Sequence, residues 1–247
     1  MGLNCISRPP APAHTVADTE PLVVFWHGSK GLGRAHGGWQ NRRVRLGIAH
    51  HYGWAVAVTA SDDHRVVGRR RIELIEPGLP AAPVHHEGGQ HLLHRTGEPL
   101  DDAALAALVA DVRASVARAS AASLDELVAE LPGSIDTISL RAWPADFTGD
   151  IAVQRRPPYE SRADSIMYCQ VLAELARERG WAVHTYDAKG IEAEATRILG
   201  RRAEEVLHGP RTTLGPPWSK DHRMALAATI VADPADPAGR RAPSRGG

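Results

Sequence analysis

The sequence predicts an α/β protein with a mixed five-stranded sheet and helices on its faces. Three short apolar segments follow one another between residues 44 and 75 with only turns between them, which is the pattern of an antiparallel meander. Two further apolar segments alternate with helical patterns, and such βα units add parallel strands to a sheet. The chain has 247 residues, enough to bury a substantial core.

The strands follow from runs of β-branched and apolar residues bounded by turn residues. A Gly-containing turn after His50 separates the first two, and Ser61-Asp62-Asp63 is a turn signal before the third. The alternation in the third is carried by Val67, Ile72 and Leu74. Strands are therefore predicted at 44–48, 54–59, 65–75, 135–140 and 181–186.

Helices are predicted where apolar residues recur every three or four positions. Asp101 or Asp102 caps the first helix, which runs to about residue 131, and the serines at 120–123 are expected to break it. Ser161 caps a second helix that ends near Gly180. A third helix occupies 191–199, and Ser219 caps an Ala-rich last helix.

Both ends of the chain lack apolar periodicity. Residues 1–43 are first Pro-rich and then Gly-rich and basic, which predicts a disordered or flexible leader. The glycines near residue 30 lack the spacing of a phosphate-binding loop. Residues 233–247 are predicted to be a disordered tail, so the folded domain is expected at 44–232.

Composition narrows the functional classes. Lys and Arg together number 29, as do Asp and Glu, so the zero net charge gives no overall attraction to nucleic acid or membranes. Two cysteines form no disulfide framework and fit a reducing cytosol, which predicts a cytoplasmic protein. No apolar run has membrane-spanning length, so no membrane partner is expected.

Residues 46–58, Leu-Gly-Ile-Ala-His-His-Tyr-Gly-Trp-Ala-Val-Ala-Val, are similar to the opening of RuvC-type Holliday junction resolvases. There, a strand ends in Gly-Ile-Asp and a Gly-Trp-Ala segment begins the next strand. Asp221, at the start of the last helix, also resembles that family, as does the element order. The chain thus resembles the ribonuclease H-like superfamily. Residues 163–168 and 215–228 further resemble actinobacterial proteins, a likeness that implies no activity.

The resemblance implies a metal site made of carboxylates, and this chain departs from it. The family's essential Asp at the end of strand one is Ala49 or His50 here, and residues 138–141 offer no acid near strand four. Two-metal phosphoryl transfer needs several carboxylates. We therefore expect a non-catalytic or altered-site domain that binds nucleic acid or protein; the alternative is a divalent-metal-dependent nuclease or phosphodiesterase.

The principal candidate site joins the end of strand one to the last helix and comprises His50, His51, Lys220, Asp221 and His222. His50, Lys220 and Asp221 are its candidate catalytic residues, and His50, Asp164 and Asp221 are candidate ligands of Mn²⁺, Mg²⁺ or Zn²⁺. His50 could instead be a general base oriented by Asp221. The competing interpretation is that the helix dipole favours an acid at Asp221 and that the histidines are turn residues.

Further candidate binding residues are Asp164 with Tyr168, Arg141, Asp187 and His222. Asp164 and Tyr168 are four residues apart on one helix face, and Arg141 or Lys220 would stabilise phosphate charge. Asp187 follows a strand whose carboxyl end could line a crevice. The alternatives are a first-turn acid for Asp164 and a helix cap for Asp187.

Two clusters remain. Histidines 85, 86, 91 and 94 in a Gly-rich loop could chelate zinc, or they could be solvated. Residues 69–71 and 155–156 are arginines that could contact phosphates, or they could form ordinary surface ion pairs.

Overall fold

The computed structural model describes residues 43–88 and 98–232. Most of the predicted leader, the predicted tail, His91 and His94 lie outside the described residues. The strands are β1 (Arg43–His50), β2 (Trp54–Ser61), β3 (Val66–Glu73), β4 (Ser134–Arg141) and β5 (Ala182–Tyr186). The helices are α1 (Asp102–Glu130), α2 (Ile151–Gln154), α3 (Ala163–Glu178), α4 (Ile191–Leu199), α5 (Ala203–His208), α6 (Pro210–Thr213) and α7 (Lys220–Val231).

The five strands form one mixed sheet in the order β3-β2-β1-β4-β5. β1, β2 and β3 are antiparallel neighbours, whereas β4 runs parallel to β1, and β5 runs parallel to β4. The predicted α/β class, with a mixed five-stranded sheet and flanking helices, is confirmed. The five strands and the helices α1, α3, α4 and α7 follow in the order predicted from the sequence, while the short helices α2, α5 and α6 are additional. Both β1 and β4 end at the same edge of the sheet, where their carboxyl ends lie side by side.

Two hydrophobic cores cover the two faces of the sheet, because successive strand residues point to opposite sides. On β1, Leu46 and Ile48 pack with α1 and α3, whereas Ala49 packs with α4, α5 and α7 on the other face. Residues of α1 and α3 such as Val112 and Leu172 are fully buried. The end of β1 therefore presents neighbouring residues to two different groups of helices.

The structure differs from the sequence prediction at three boundaries. α1 continues through the serines at 120–123, because Ser120 is buried and Ser123 bonds to the Glu73 carbonyl instead of breaking the helix. The residue before α3 is Arg162 rather than Ser161, and it makes no side-chain capping bond. The loop after β4 contains the short helix α2, capped by Asp150. Within the described residues no helix is long and apolar enough to span a membrane.

Candidate functional site

A pocket of about 310 Å³ lies where β1 and β4 end beside the start of α3. In sheets with parallel strands, ligand crevices commonly form outside the carboxyl ends of the strands. Here the chain leaving β1, the chain leaving β4 and the first turns of α3 form the walls. The polar residues that line the pocket are His50, His51, Tyr52, Arg141, Ser161, Arg162 and Ser165.

His50 closes the pocket on the α3 side and is almost completely buried. Its Nε2 lies 2.8 Å from the Ser165 hydroxyl, and the Cys169 sulfur lies 3.7 Å from both ring nitrogens. Burial, the charge of Arg141 and the neighbouring His51 lower the pKa of His50 to about 3. His50 is thus a neutral imidazole at physiological pH, because burial penalises the charged form.

Asp221 pairs with His51, not with the predicted His50. The Asp221 carboxylate lies 3.1 Å from His51 Nε2, and the two side chains are 26% and 42% exposed. His51 also stacks on Trp54, with ring centroids 4.2 Å apart and planes 15° apart. The hypothesis that Asp221 orients His50 is corrected accordingly. His50 faces α3, whereas His51 reaches the α7 side, as the alternation of side chains along a strand requires.

Asp164 points away from the pocket and supports a different segment. Its two carboxylate oxygens accept the backbone N–H groups of Val84 and His85, at 3.1 and 3.0 Å, at the start of a π-helical turn (Val84–Gly88). Tyr168, one turn later on α3, donates its hydroxyl to the Ala81 carbonyl. Burial raises the pKa of Asp164 to about 7, although the two N–H groups oppose the rise.

The three predicted metal ligands are therefore not brought together. Asp164 is occupied by backbone N–H groups, and Asp221 lies against His51. Within residues 43–88 and 98–232, no group of three or more His, Cys, Asp or Glu side chains is arranged to hold a metal ion. Of the predicted histidine cluster, the described part brings His85 and His86 together, with ring centroids 5.2 Å apart.

Arg141, the last residue of β4, supplies the positive charge of the pocket. Its Nε is buried and has no hydrogen-bond partner in the described part of the chain. Burial is the largest influence on the pKa values of His50, Cys169 and Tyr186, and the charge of Arg141 is the next, lowering each of them. The guanidinium charge therefore reaches His50 and Cys169 in the pocket lining and Tyr186 outside it.

The other predicted site residues lie outside the pocket lining. His222 forms a capping box with Ser219, whose backbone N–H donates to His222 Nδ1 at 3.2 Å. Burial lowers the pKa of His222. Lys220 is exposed, and Asp187 accepts the Lys189 N–H in the turn before α4. These contacts explain His222 and Asp187 as residues that shape the start of a helix.

The predicted basic clusters are largely engaged within the protein. Arg69 donates to the carbonyls of residues 214, 215 and 217, while Arg70 pairs with Glu130. Arg71 pairs with Glu73 and covers the Trp54 ring at 4.1 Å. Arg155 bonds to Asp102 and to the carbonyls of residues 88 and 100. These four arginines therefore do not form the free phosphate-binding surface that the sequence suggested.

We expect Arg69→Met to destabilise the protein by about 2 kcal/mol, because three backbone carbonyls ahead of α7 lose a charged donor. The measurement is the free energy of unfolding in urea. Arg65→Met is the matched control, since Arg65 is 85% exposed and pairs with an exposed Asp63. Equal stability losses in both variants would contradict the role given to Arg69.

Sequence reasoning missed Ser165 and placed the Asp221 partner one residue too early. Ile48 and His50 are two residues apart on a strand, so the sequence indicates that both side chains lie on the same face of the sheet. The sequence does not indicate which of the later helices covers that face, because this depends on the order of the strands in the sheet.

The fold and the site together define an α/β protein with an arginine-centred pocket at the carboxyl edge of a mixed sheet. No protein-family model and no curated protein matches the chain. Among solved structures it is similar to RuvC from Thermus thermophilus in complex with a Holliday junction substrate, with 13% identity, a TM-score of 0.41 and coverage of 76% of this chain and 90% of that one. A second Thermus thermophilus RuvC structure is also 13% identical, with a TM-score of 0.38, and the match covers 76% of this chain and 91% of that chain.

Proposed function

We propose that this protein is a ribonuclease H-like, nucleic-acid-binding domain that holds a backbone phosphate on Arg141 instead of on a pair of metal ions. The observation that carries the proposal is the Arg141 guanidinium, which lines a pocket at the carboxyl edge of the sheet and whose buried Nε has no hydrogen-bond partner among the described residues. The nucleic-acid part of the proposal comes from the resemblance of residues 46–58 and of the Asp221 helix to that superfamily.

A phosphate in the pocket would pair with the terminal N–H groups of the Arg141 guanidinium, because a guanidinium matches two phosphate oxygens at once. The Ser161 and Ser165 side chains line the same pocket, which also lies at the start of the 16-residue helix α3. Hydroxyl donors and a helix N-terminus both favour an anion. A volume of about 310 Å³ is at the small end for ligand pockets and fits one phosphate with part of its nucleoside.

The alternative of a divalent-metal-dependent nuclease or phosphodiesterase has less support. Its predicted ligands Asp164 and Asp221 are engaged with the 84–85 backbone and with His51. A protein-binding role has no extended apolar surface in its favour within the described residues. The exposed large apolar side chains there are scattered over separate segments: Tyr52, Val128, Val153 and Leu214.

Arg141→Gln is expected to weaken binding of a single-stranded oligonucleotide about 10-fold or more, because a charge-assisted contact to phosphate is lost. It should also reduce the slope of the logarithm of the binding constant against the logarithm of the salt concentration by about one, because one phosphate contact is lost. Fluorescence anisotropy from about 50 to 200 mM salt measures both quantities. Arg141→Lys should recover only part of the affinity, since an ammonium lacks the planar fork.

Arg113→Gln is the matched control, because Arg113 pairs with Glu174 on the surface of α1 and α3. It should leave the affinity and the salt slope unchanged. If Arg141→Gln and Arg113→Gln bind equally well, or if the unaltered protein binds neither DNA nor RNA, the proposed function is wrong.

A further inference from the structure

We propose that His51, held by Asp221, is the proton acceptor of a metal-independent cleavage of RNA at the phosphate bound by Arg141. This inference rests on the proposed function and adds a substrate class and a reaction to it. It is carried by three observations: the His51–Asp221 contact, the stack of His51 on Trp54, and the presence of His51 and Arg141 in one pocket.

His51 is held in one orientation by two different contacts. Asp221 lies 3.1 Å from Nε2, and the Trp54 ring lies flat against the imidazole. The Arg71 guanidinium also lies over the Trp54 ring, 4.1 Å from its centroid. A carboxylate accepts a hydrogen bond, so in the neutral imidazole Nε2 carries the proton and Nδ1 has the lone pair. The side chain is 42% exposed and lines the pocket, so the imidazole is open to a ligand there.

His50 does not serve the same purpose, although it also lines the pocket. It is 2% exposed, and its Nε2 is occupied by the Ser165 hydroxyl at 2.8 Å. It contributes a neutral wall on the α3 side. The two adjacent histidines therefore have different roles, one as packing and one as a fixed base.

The set of groups in the pocket points to RNA as the substrate. Attack of water on a phosphodiester requires an activated nucleophile, which metal ions normally generate. The 2′-hydroxyl of a ribonucleotide is already positioned next to its own phosphate, and such intramolecular attack has a large entropic advantage. One base and one cation then suffice, and the pocket offers these two groups. DNA lacks the 2′-hydroxyl and would bind without being cleaved.

In the proposed step, His51 Nδ1 takes the proton of the 2′-hydroxyl while the 2′-oxygen forms a bond to phosphorus. The bond from phosphorus to the 5′-oxygen of the next nucleotide breaks, and that oxygen takes a proton from solvent. Arg141 stabilises the negative charge that develops on the phosphoryl oxygens. The products are a 2′,3′-cyclic phosphate and a free 5′-hydroxyl, and the imidazolium of His51 returns its proton to water.

The test uses the full chain, excess EDTA and a labelled DNA oligonucleotide that contains one ribonucleotide. Cleavage at that nucleotide to a 2′,3′-cyclic phosphate is expected, and an all-deoxy oligonucleotide should bind but stay intact. His51→Ala should lower the cleavage rate at least 100-fold, in the range expected for loss of a general base. Added imidazole should restore part of that rate, which it would not do if His51 had only a structural role.

Asp221→Asn provides a second variant if His51→Ala is poorly folded. Asp221 is a positioning residue, so this variant should lower the rate constant of cleavage and leave the affinity for the all-deoxy oligonucleotide unchanged. Glu174→Gln, a surface change on α3, should retain full activity, and the loss of cleavage in His51→Ala prepared in the same way excludes a contaminating ribonuclease.

The outcomes separate this inference from the proposed function. An oligonucleotide that is bound but not cleaved overturns the inference and leaves the binding function in place. Cleavage that needs Mn²⁺ or Mg²⁺ and leaves 5′-phosphates overturns the inference as well. If no oligonucleotide binds, both are overturned.

Discussion

Replacing Asp164 by Asn is expected to remove a pH dependence of stability that the buried carboxyl causes. Burial raises the pKa of Asp164 to about 7, against 3.8 for an exposed Asp. Between these two pKa values, the folded protein therefore keeps a proton that the unfolded chain has released. The resulting stabilisation is complete below about pH 4 and is lost as the pH rises through 7.

The Asn side chain cannot ionise, so the Asp164→Asn protein does not lose this stabilisation as the pH rises through 7. The stability of Asp164→Asn relative to the unaltered protein should therefore rise by about 3 to 4 kcal/mol between pH 4 and pH 7.5, which corresponds to a shift of roughly three pKa units. In addition, the Asn variant should lose about 1 kcal/mol of stability at every pH, since its amide nitrogen cannot accept one of the two backbone N–H groups that Asp164 accepts.

Urea unfolding at several pH values measures the effect. The lowered pKa of His50 acts in the opposite direction, because its stabilisation is lost as the pH falls from 6.5 towards 3, but it is common to both proteins. Asp125→Asn is the control, since Asp125 is 70% exposed beside Arg179. Parallel pH profiles for the unaltered protein and Asp164→Asn would show that Asp164 does not hold the extra proton.

Gly47→Ala is expected to destabilise the protein by about 3 kcal/mol or more, because β1 and α7 approach each other too closely for a methyl group. A Cβ atom at residue 47 would lie 1.9 Å from the Ala225 carbonyl oxygen and 2.7 Å from its carbon. Both contacts are with backbone, so no side-chain rotation relieves them. The helix must move away from the strand, which would also separate Asp221 from His51.

Thermal or urea unfolding of Gly47→Ala checks the expected loss. Gly149→Ala is the matched control, because a Cβ there meets no atom within 4 Å. A Gly47→Ala protein as stable as this control would contradict the close packing of α7 on β1. Weakened oligonucleotide cleavage together with lower stability would fit the displacement of Asp221.

Much of the fold was predictable from the sequence, because strand and helix periods depend on local residues. The run from Ala55 to Val58 alternates small and β-branched residues, and it lies in β2, where all four are buried. The prediction failed where a tertiary contact overrides local preference. Ser120 and Ser123 are weak helix formers, yet α1 passes through them against the sheet, and Ser123 bonds to β3.

The site was harder to predict for a geometric reason. The resemblance to the ribonuclease H-like superfamily implied that residues 50, 51 and 221 belong to the same end of the sheet. It did not show that His50 lies under α3 while His51 lies against α7, since that depends on which helix covers each face. Arg141 was recognised as a possible phosphate contact, but its unpaired Nε follows only from the three-dimensional arrangement.

The opposite orientations of His50 and His51 make the two sides of the pocket separately adjustable. Ser165 and Cys169 meet one histidine from α3, and Asp221 meets the other from α7. Ser165 and Asp221 share no hydrogen-bond partner, so the free-energy effects of replacing them are expected to be largely additive, with a remainder from the charge of His51 on His50. Selection or design could thus alter the shape of the binding surface through α3 and the acid–base chemistry through α7, one at a time.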